Sequence, residues 1–173
     1  RFTTSRRDVA RRRIRIAARL LRVVWPKAPE EIRETLTHVC ELLDIGRSVD
    51  YYDRHRNAAV SVAAADLQGF TPRGLALLFA VLMHADNATN RLKPLRSVLR
   101  PKDGPLVERA AVLLLLADEI ERRSLPGQPL AVHAAWLEHL LVLRSEVLAG
   151  WRPRSVGDRF LRAFGHELRV SGA

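Results

Sequence analysis

The chain predicts a mainly α fold with a terminal helix at its C-terminal end, and three features of the sequence lead there. Between Asp8 and Val24 the apolar residues Ala10, Ile14, Ala17, Leu21 and Val24 recur at steps of four and three, the period of one buried helix face. Thr71-Pro72 then opens a segment to His84 that is apolar nearly all round, as a central helix is. The third feature is a break at Leu125-Pro126-Gly127, the clearest boundary in the chain. It divides a helical domain, residues 1–125, from a small appendage, residues 126–173, expected to pack on it.

The first helix carries Arg12, Arg15, Arg19 and Arg22 at steps of three and four, an arginine stripe beside its apolar one. It ends at Trp25-Pro26, since proline disfavours helical conformation in the residue before it. A second helix starts near Pro29, with Glu30 and Glu31 at the positive end of its dipole and Ile32, Leu36, Val39 and Leu43 inward. Gly46 is expected to cap it, which leaves Asp44 in the last turn and in need of a cation or donor. A loop through Tyr51-Tyr52 leads to a short Ala/Val-rich helix from about Arg56 to Ala65. Thr71 is the N-cap of the central helix, with Pro72 at its first position.

Residues 87–104 read as a loop or broken helix with the bases Arg91, Lys93, Arg96, Arg100 and Lys102. The next helix covers about Pro105 to Arg123 and places Asp118 just after the apolar Leu113–Leu116. Leu130 to Arg144 is ambiguous by itself, its length permitting a helix, and Ser155 to Leu168 reads as a final helix with Phe160, Phe164 and Leu168 inward.

At 173 residues, with 47% hydrophobic and 28% charged, the chain is long and apolar enough to bury a core. A single cysteine, Cys40, excludes an internal disulfide framework and suits a reducing cytoplasm. The strongest apolar run, Ala110 to Ala117, is far shorter than the ~20 residues of a bilayer span, so no membrane span is expected. Arg1 rather than Met stands first, and no hydrophobic signal segment follows, the pattern of a fragment or processed chain.

The net charge is +10, and nearly all of it lies at one end. Residues 1–27 hold ten basic residues against Asp8, while the other 146 hold 19 bases against 18 acids. A cluster of one sign concentrates and steers anions. The expected partner is therefore polyphosphate or another phosphate-rich anion, along Arg12, Arg15, Arg19 and Arg22 and extended by Arg91 and Lys93 if the fold brings that loop alongside. A solvated helix face is the plainer account of the same stripe.

The segments LLDIGRSVDYYDRHRN, DLQGF, the helix ending Met83-His84 and LLLLADEIERR follow one another in an order and spacing that resemble the C-terminal HD-like helical region of the exopolyphosphatase/guanosine pentaphosphatase family. Because that family has short strands in the region of Leu130 to Arg144, the resemblance favours a small hairpin there. In the wider HD superfamily a His-Asp pair, an earlier His and a later Asp converge on a metal ion. That resemblance makes Leu43, Asp44, His55, Asn57, His84 and Asp118 a degenerate site: Leu43 stands for the paired His, Asn57 for a second loop His, and the earlier His near Ala10 or Arg11 is missing. A metal needs enough fixed ligands and an open position for water, so neither a metal centre nor catalytic residues are expected here. Asp44 and Asp118 then serve hydrogen bonds or ion pairs with arginine.

The other histidines, His38, His133, His139 and His166, show no zinc spacing with Cys40. None of the nine glycines lies two residues from another, so no Gly-x-Gly phosphate cradle is present. By the resemblance, hydrolysis belongs to N-terminal actin-like catalytic domains, magnesium belongs to that parent enzyme with no cofactor in this chain, and this chain is the accessory half that binds polyphosphate or supports a homodimer. Two other readings stand beside it: an active HD-type metal phosphohydrolase acting on a nucleotide, and a nucleic-acid-binding or purely dimerising helical module.

Overall fold

The computed structural model describes every residue except 1, 66–67, 88–94, 96, 126–130 and 173, and for residues 2–6 it describes the backbone alone. The described residues form six α-helices and one three-stranded sheet, a mainly α fold. The helices are α1 (Phe2–Val24), α2 (Glu30–Val49), α3 (Arg54–Ala64), α4 (Pro72–Ala85), α5 (Asp103–Arg123) and α6 (Arg154–Phe164). The strands are β1 (His133–Leu137), β2 (Leu140–Arg144) and β3 (Glu167–Ser171), in the order β1-β2-β3. No helix among the described residues is long and apolar enough to cross a membrane.

α5 is the spine of the molecule. Val107, Ala110–Leu114, Leu116, Ala117 and Ile120 are buried, and α1, α2, α4 and α6 all pack against it. α4 is almost wholly interior from Ala76 to Met83, and its start follows the expected chemistry: the Thr71 side chain accepts from the Gly74 amide at 3.0 Å, with Pro72 at the first position.

Three local expectations are corrected. The inward face of α1 is Arg13, Ile16, Ala17, Leu20 and Leu21, rotated from the expected stripe, because the helix packs between α2 and α5 and takes its buried residues from the side that meets both. Gly46 does not cap α2, which continues to Val49; it is a buried contact point where α3 lies so close that a Cβ would come within 1.8 Å of the Arg54 carbonyl oxygen. The final helix ends at Phe164, since Gly165 takes φ 73° and its amide bonds the Leu161 carbonyl at 2.8 Å, a left-handed C-cap. Leu168 is therefore in a strand, paired with Leu141.

The favoured hairpin is β1 and β2, antiparallel with Leu137 opposite Leu140. β3 adds parallel to β2 after the crossover through α6. The expected boundary at Pro126-Gly127 lies in the undescribed stretch. Beyond it, Val132, Leu141, Leu143, Leu148 and Phe160 join the same apolar core as α1, α2, α4 and α5. Trp25 and Phe164 meet edge to face at 6.3 Å, with the Arg109 guanidinium over both rings.

Candidate functional site

The degenerate-site positions split into two groups. Asp44 from α2, His55 from α3 and Asp118 from α5 come together around two arginines that the sequence reading did not single out, Arg13 and Arg54. Arg13 is fully buried, and its guanidinium spans the gap between the carboxylates. Nε donates to Asp118 Oδ1 at 3.1 Å, one Nη donates to Asp44 Oδ1 at 3.0 Å, and the other donates to the Cys40 carbonyl at 2.7 Å. Arg54 closes the far side, donating through Nε (2.9 Å) and Nη (2.7 Å) to Asp118 Oδ2 and through its other Nη to the Tyr51 carbonyl. Around this core, Arg47 lies 3.4 Å from Asp44, and Glu121 pairs with Arg12 at 2.9 Å.

Asp118 has no exposed surface and accepts three charge-assisted hydrogen bonds. Burial opposes its ionisation, but Arg13 and Arg54 overcome that and hold the carboxyl below its ordinary range. Burial likewise works against the charge on Arg13, and Asp118 and Asp44 more than offset it. Cys40, beneath Arg13, has its thiol pushed up to about 12 by burial, which leaves it an inert packing residue. Two cations against two carboxylates leave the centre neutral.

This donor set does not fit a divalent metal. Asp44 and Asp118 already hold the Arg13 guanidinium between them, and Leu43 packs in the core with no donor atom. A dication added there would bring two uncompensated charges into a buried centre. Among the described residues no group of three or more His, Cys, Asp or Glu side chains could hold a metal ion. The guanidinium is the cation of this site.

His84 belongs elsewhere. Its Nδ1 lies 2.8 Å from Glu108, which also takes a bidentate bond from Arg159 on α6. Glu108 and Asp118 are ten residues apart on α5, about 15 Å along its axis. Burial raises the Glu108 carboxyl, and His84 with Arg159 pulls it below its ordinary value. Asn57 is half-buried on α3, where its carbonyl accepts the Ser61 hydroxyl at 2.9 Å.

Of the expected arginine stripe, Arg12 is held by Glu121, and Arg19 donates to the Val132 carbonyl at 2.7 Å. Arg15 and Arg22 are exposed, as are Arg7 and Arg11. Arg91 and Lys93 lie outside the described residues. One signal for Arg13 was present in the sequence: it stands three, four and seven residues before Ile16, Ala17 and Leu20, in line with the face that is buried.

His55 gives a pH prediction. Burial lowers its pKa to about 4, and its Nε2 is buried without a hydrogen-bond partner among the described residues, so it is neutral at pH 7. In the unfolded chain it titrates near ~6.5. Its contribution is complete above that value and is lost as pH falls toward 4, about 3 kcal/mol over the window. Urea unfolding from pH 7 to 4 is expected to show stability falling already near pH 6, above the carboxylate range. In a His55→Gln variant that early loss disappears, leaving only the acid limb set by Asp118, Asp103 and Glu108, whose carboxyls all lie below their ordinary values.

No known protein-family model matches the chain.

Proposed function

We propose that the chain is an accessory, non-catalytic helical domain of an exopolyphosphatase-type phosphatase that holds inorganic polyphosphate, or another phosphate-rich polyanion, along α1. One observation supports this most: Arg7, Arg11, Arg15 and Arg22 are exposed and have no hydrogen bond or ion pair with any described residue. At about 100° per residue these four fall within an arc of roughly 80°, and they span about 22 Å of helix. By contrast Arg12, Arg13, Arg47, Arg54, Arg73, Arg122, Arg123 and Arg159 all meet carboxylates. Other exposed arginines without such a partner, Arg144, Arg152, Arg154, Arg162 and Arg169, are spread over β2, β3, α6 and the loop before it instead of lying in line on one long helix.

Unpaired guanidiniums in line offer planar forks to successive phosphates of a linear chain. The working face is thus Arg7, Arg11, Arg15 and Arg22, turned slightly from the stripe of Arg12, Arg15, Arg19 and Arg22. The Arg13–Asp44–Asp118–Arg54 centre supports the non-catalytic part of the reading, because it holds its own cation in place of a metal and fastens α1 to α2, α3 and α5.

Polyphosphate binding at two salt concentrations tests this. Replacing Arg7, Arg11, Arg15 and Arg22 together by Gln is expected to weaken binding and to reduce the slope of log affinity against log salt by roughly three, at about 0.7 for each lost phosphate contact. Arg12→Gln and Arg19→Gln are expected to have small effects. Unchanged affinity in the quadruple variant defeats the proposal. Equal competition by duplex DNA replaces it with a general polyanion-binding module, because phosphate contacts carry no sequence information.

A further inference from the structure

The sheet leaves β1 as an open edge, and we propose that a second copy of this chain pairs with it, strand against antiparallel strand, about Ala135. β1 and β2 are joined by the two-residue turn Glu138–His139, with Leu137 opposite Leu140. Such a turn closes on a hydrogen-bonded pair, and pairs alternate from there. Leu137, Ala135 and His133 therefore exchange bonds with β2, while Ala134 and Trp136 turn their N–H and C=O groups away from it. No described residue bonds those outward groups. His133 and residues 135–137 are exposed, so the edge is accessible.

The composition of this edge sets it apart. Sheet edges in monomeric proteins are guarded by lysine, acid, proline or a bulge. β3, the other edge, carries Glu167 and Arg169, whereas His-Ala-Ala-Trp-Leu carries no acid, lysine, arginine or proline.

The second copy is the occupant that fits, because an antiparallel copy of β1 meets both outward residues of this edge and brings the turn acid Glu138 to the end of the edge where Arg19 lies. Of the registers in which outward groups meet outward groups, the one that sets Ala134 against Trp136 of the second copy and the reverse satisfies both residues without calling on the Val132 carbonyl, which Arg19 already holds, and it puts Ala135 opposite Ala135 on the two-fold axis. That central pair is the close, non-hydrogen-bonded kind, about 4.5 Å between Cα atoms, and two alanine methyls suit it. The same register brings Glu138 opposite Val132 of the second copy. The Val132 carbonyl already holds the Arg19 guanidinium at 2.7 Å, so each end of the paired strands gains an acid facing an arginine.

Glu138 itself carries a second mark. It takes φ 53°, a left-handed conformation that such turns normally give to Gly, Asn or Asp. A strained glutamate at that turn has a use if its carboxylate meets a partner's arginine. The assembly would be an isologous dimer with a continuous six-stranded sheet.

Sedimentation of the chain without any polyanion, over a range of concentrations, tests the pairing independently of phosphate binding. A monomer–dimer equilibrium is expected, and the Ala134 and Trp136 amides are expected to gain hydrogen-exchange protection as the dimer forms. Ala134→Pro removes only an outward N–H and is expected to leave a folded monomer. Glu138→Arg and Arg19→Glu are each expected to weaken dimerisation by roughly tenfold, and the two together to restore it. A parent chain that stays monomeric overturns the proposal, as does an Ala134→Pro chain that still dimerises. Failure of the double swap to restore association overturns the Ala135 register.

Discussion

Replacing Asp118 by Asn lowers the free energy of unfolding by about 3–5 kcal/mol, the expected cost of removing one partner from a buried ion pair. The size of the effect follows from what is left behind. Asp118 is the only carboxylate among the described residues that bonds both Arg13 and Arg54, and it has no exposed surface. Asn retains the shape but loses the charge, and its one amide oxygen can accept from only one of the two arginines while its NH2 faces the other. Beyond that, Arg54 has the Tyr51 carbonyl and a distant Glu119 at 3.9 Å, and Arg13 has Asp44 and the Cys40 carbonyl. Two guanidiniums then face each other across a neutral amide in a dry interior. Arg13→Met approaches the same centre from the other side, leaving Asp44 with only the longer Arg47 contact at 3.4 Å and Asp118 Oδ1 without its partner. The two changes share one interaction, so the double variant should cost clearly less than their sum. Urea denaturation of the two single variants and the double variant measures this directly. A loss below about 1 kcal/mol for Asp118→Asn would place the centre among surface ion pairs, contrary to its burial.

The helices of this chain were legible because their signals are local. Thr71-Pro72 starts α4 by cap chemistry, and the three-and-four spacing of apolar residues marks α1 whichever face is inward. What was not legible depends on distant partners. Arg13 reads as one more surface charge until Asp44 and Asp118, 31 and 105 residues away, give it two acceptors. A pattern that sorts residues into apolar and charged must place it outside, and so it rotates the buried stripe of α1 by one step. His84 sits at a ligand-like position in the order of motifs, but α4 aims it at Glu108, ten residues from Asp118 along α5. Leu168 continues the helical spacing of Phe160 and Phe164 equally well as a strand residue, and the decisive sign was Gly165, whose left-handed cap ends the helix first. The Leu168 miss was a local one, whereas those at Arg13 and His84 trace to contacts between elements, and the degenerate site is made of such contacts.

Gly46→Ala tests that dependence at a single atom. Gly to Ala inside a helix ordinarily stabilises it by about 1 kcal/mol, and Gly157 in α6 is such a place: a Cβ there meets nothing within 4 Å, so Gly157→Ala is expected to gain about 0.5–1 kcal/mol. At Gly46 the sign reverses. The added carbon would lie 1.8 Å from the Arg54 carbonyl oxygen and 2.7 Å from the Ala58 amide nitrogen, both backbone atoms of α3, which no side-chain rotation can clear. α3 has to move away from α2, and the expected loss is about 3 kcal/mol, at the upper end of overpacking costs. The displaced segment carries Arg54 and His55, so the methyl group also draws the guanidinium away from Asp118. Two consequences separate this from a simple clash. The Gly46→Ala and Asp118→Asn losses should be less than additive, because each breaks the same Arg54 contact. The pKa of His55, followed by NMR, should rise from about 4 toward the value of an exposed imidazole as α3 lifts and water reaches the ring. Full additivity with an unchanged His55 titration would mean that α3 yields elsewhere, and that Gly46 contributes packing without positioning the arginine.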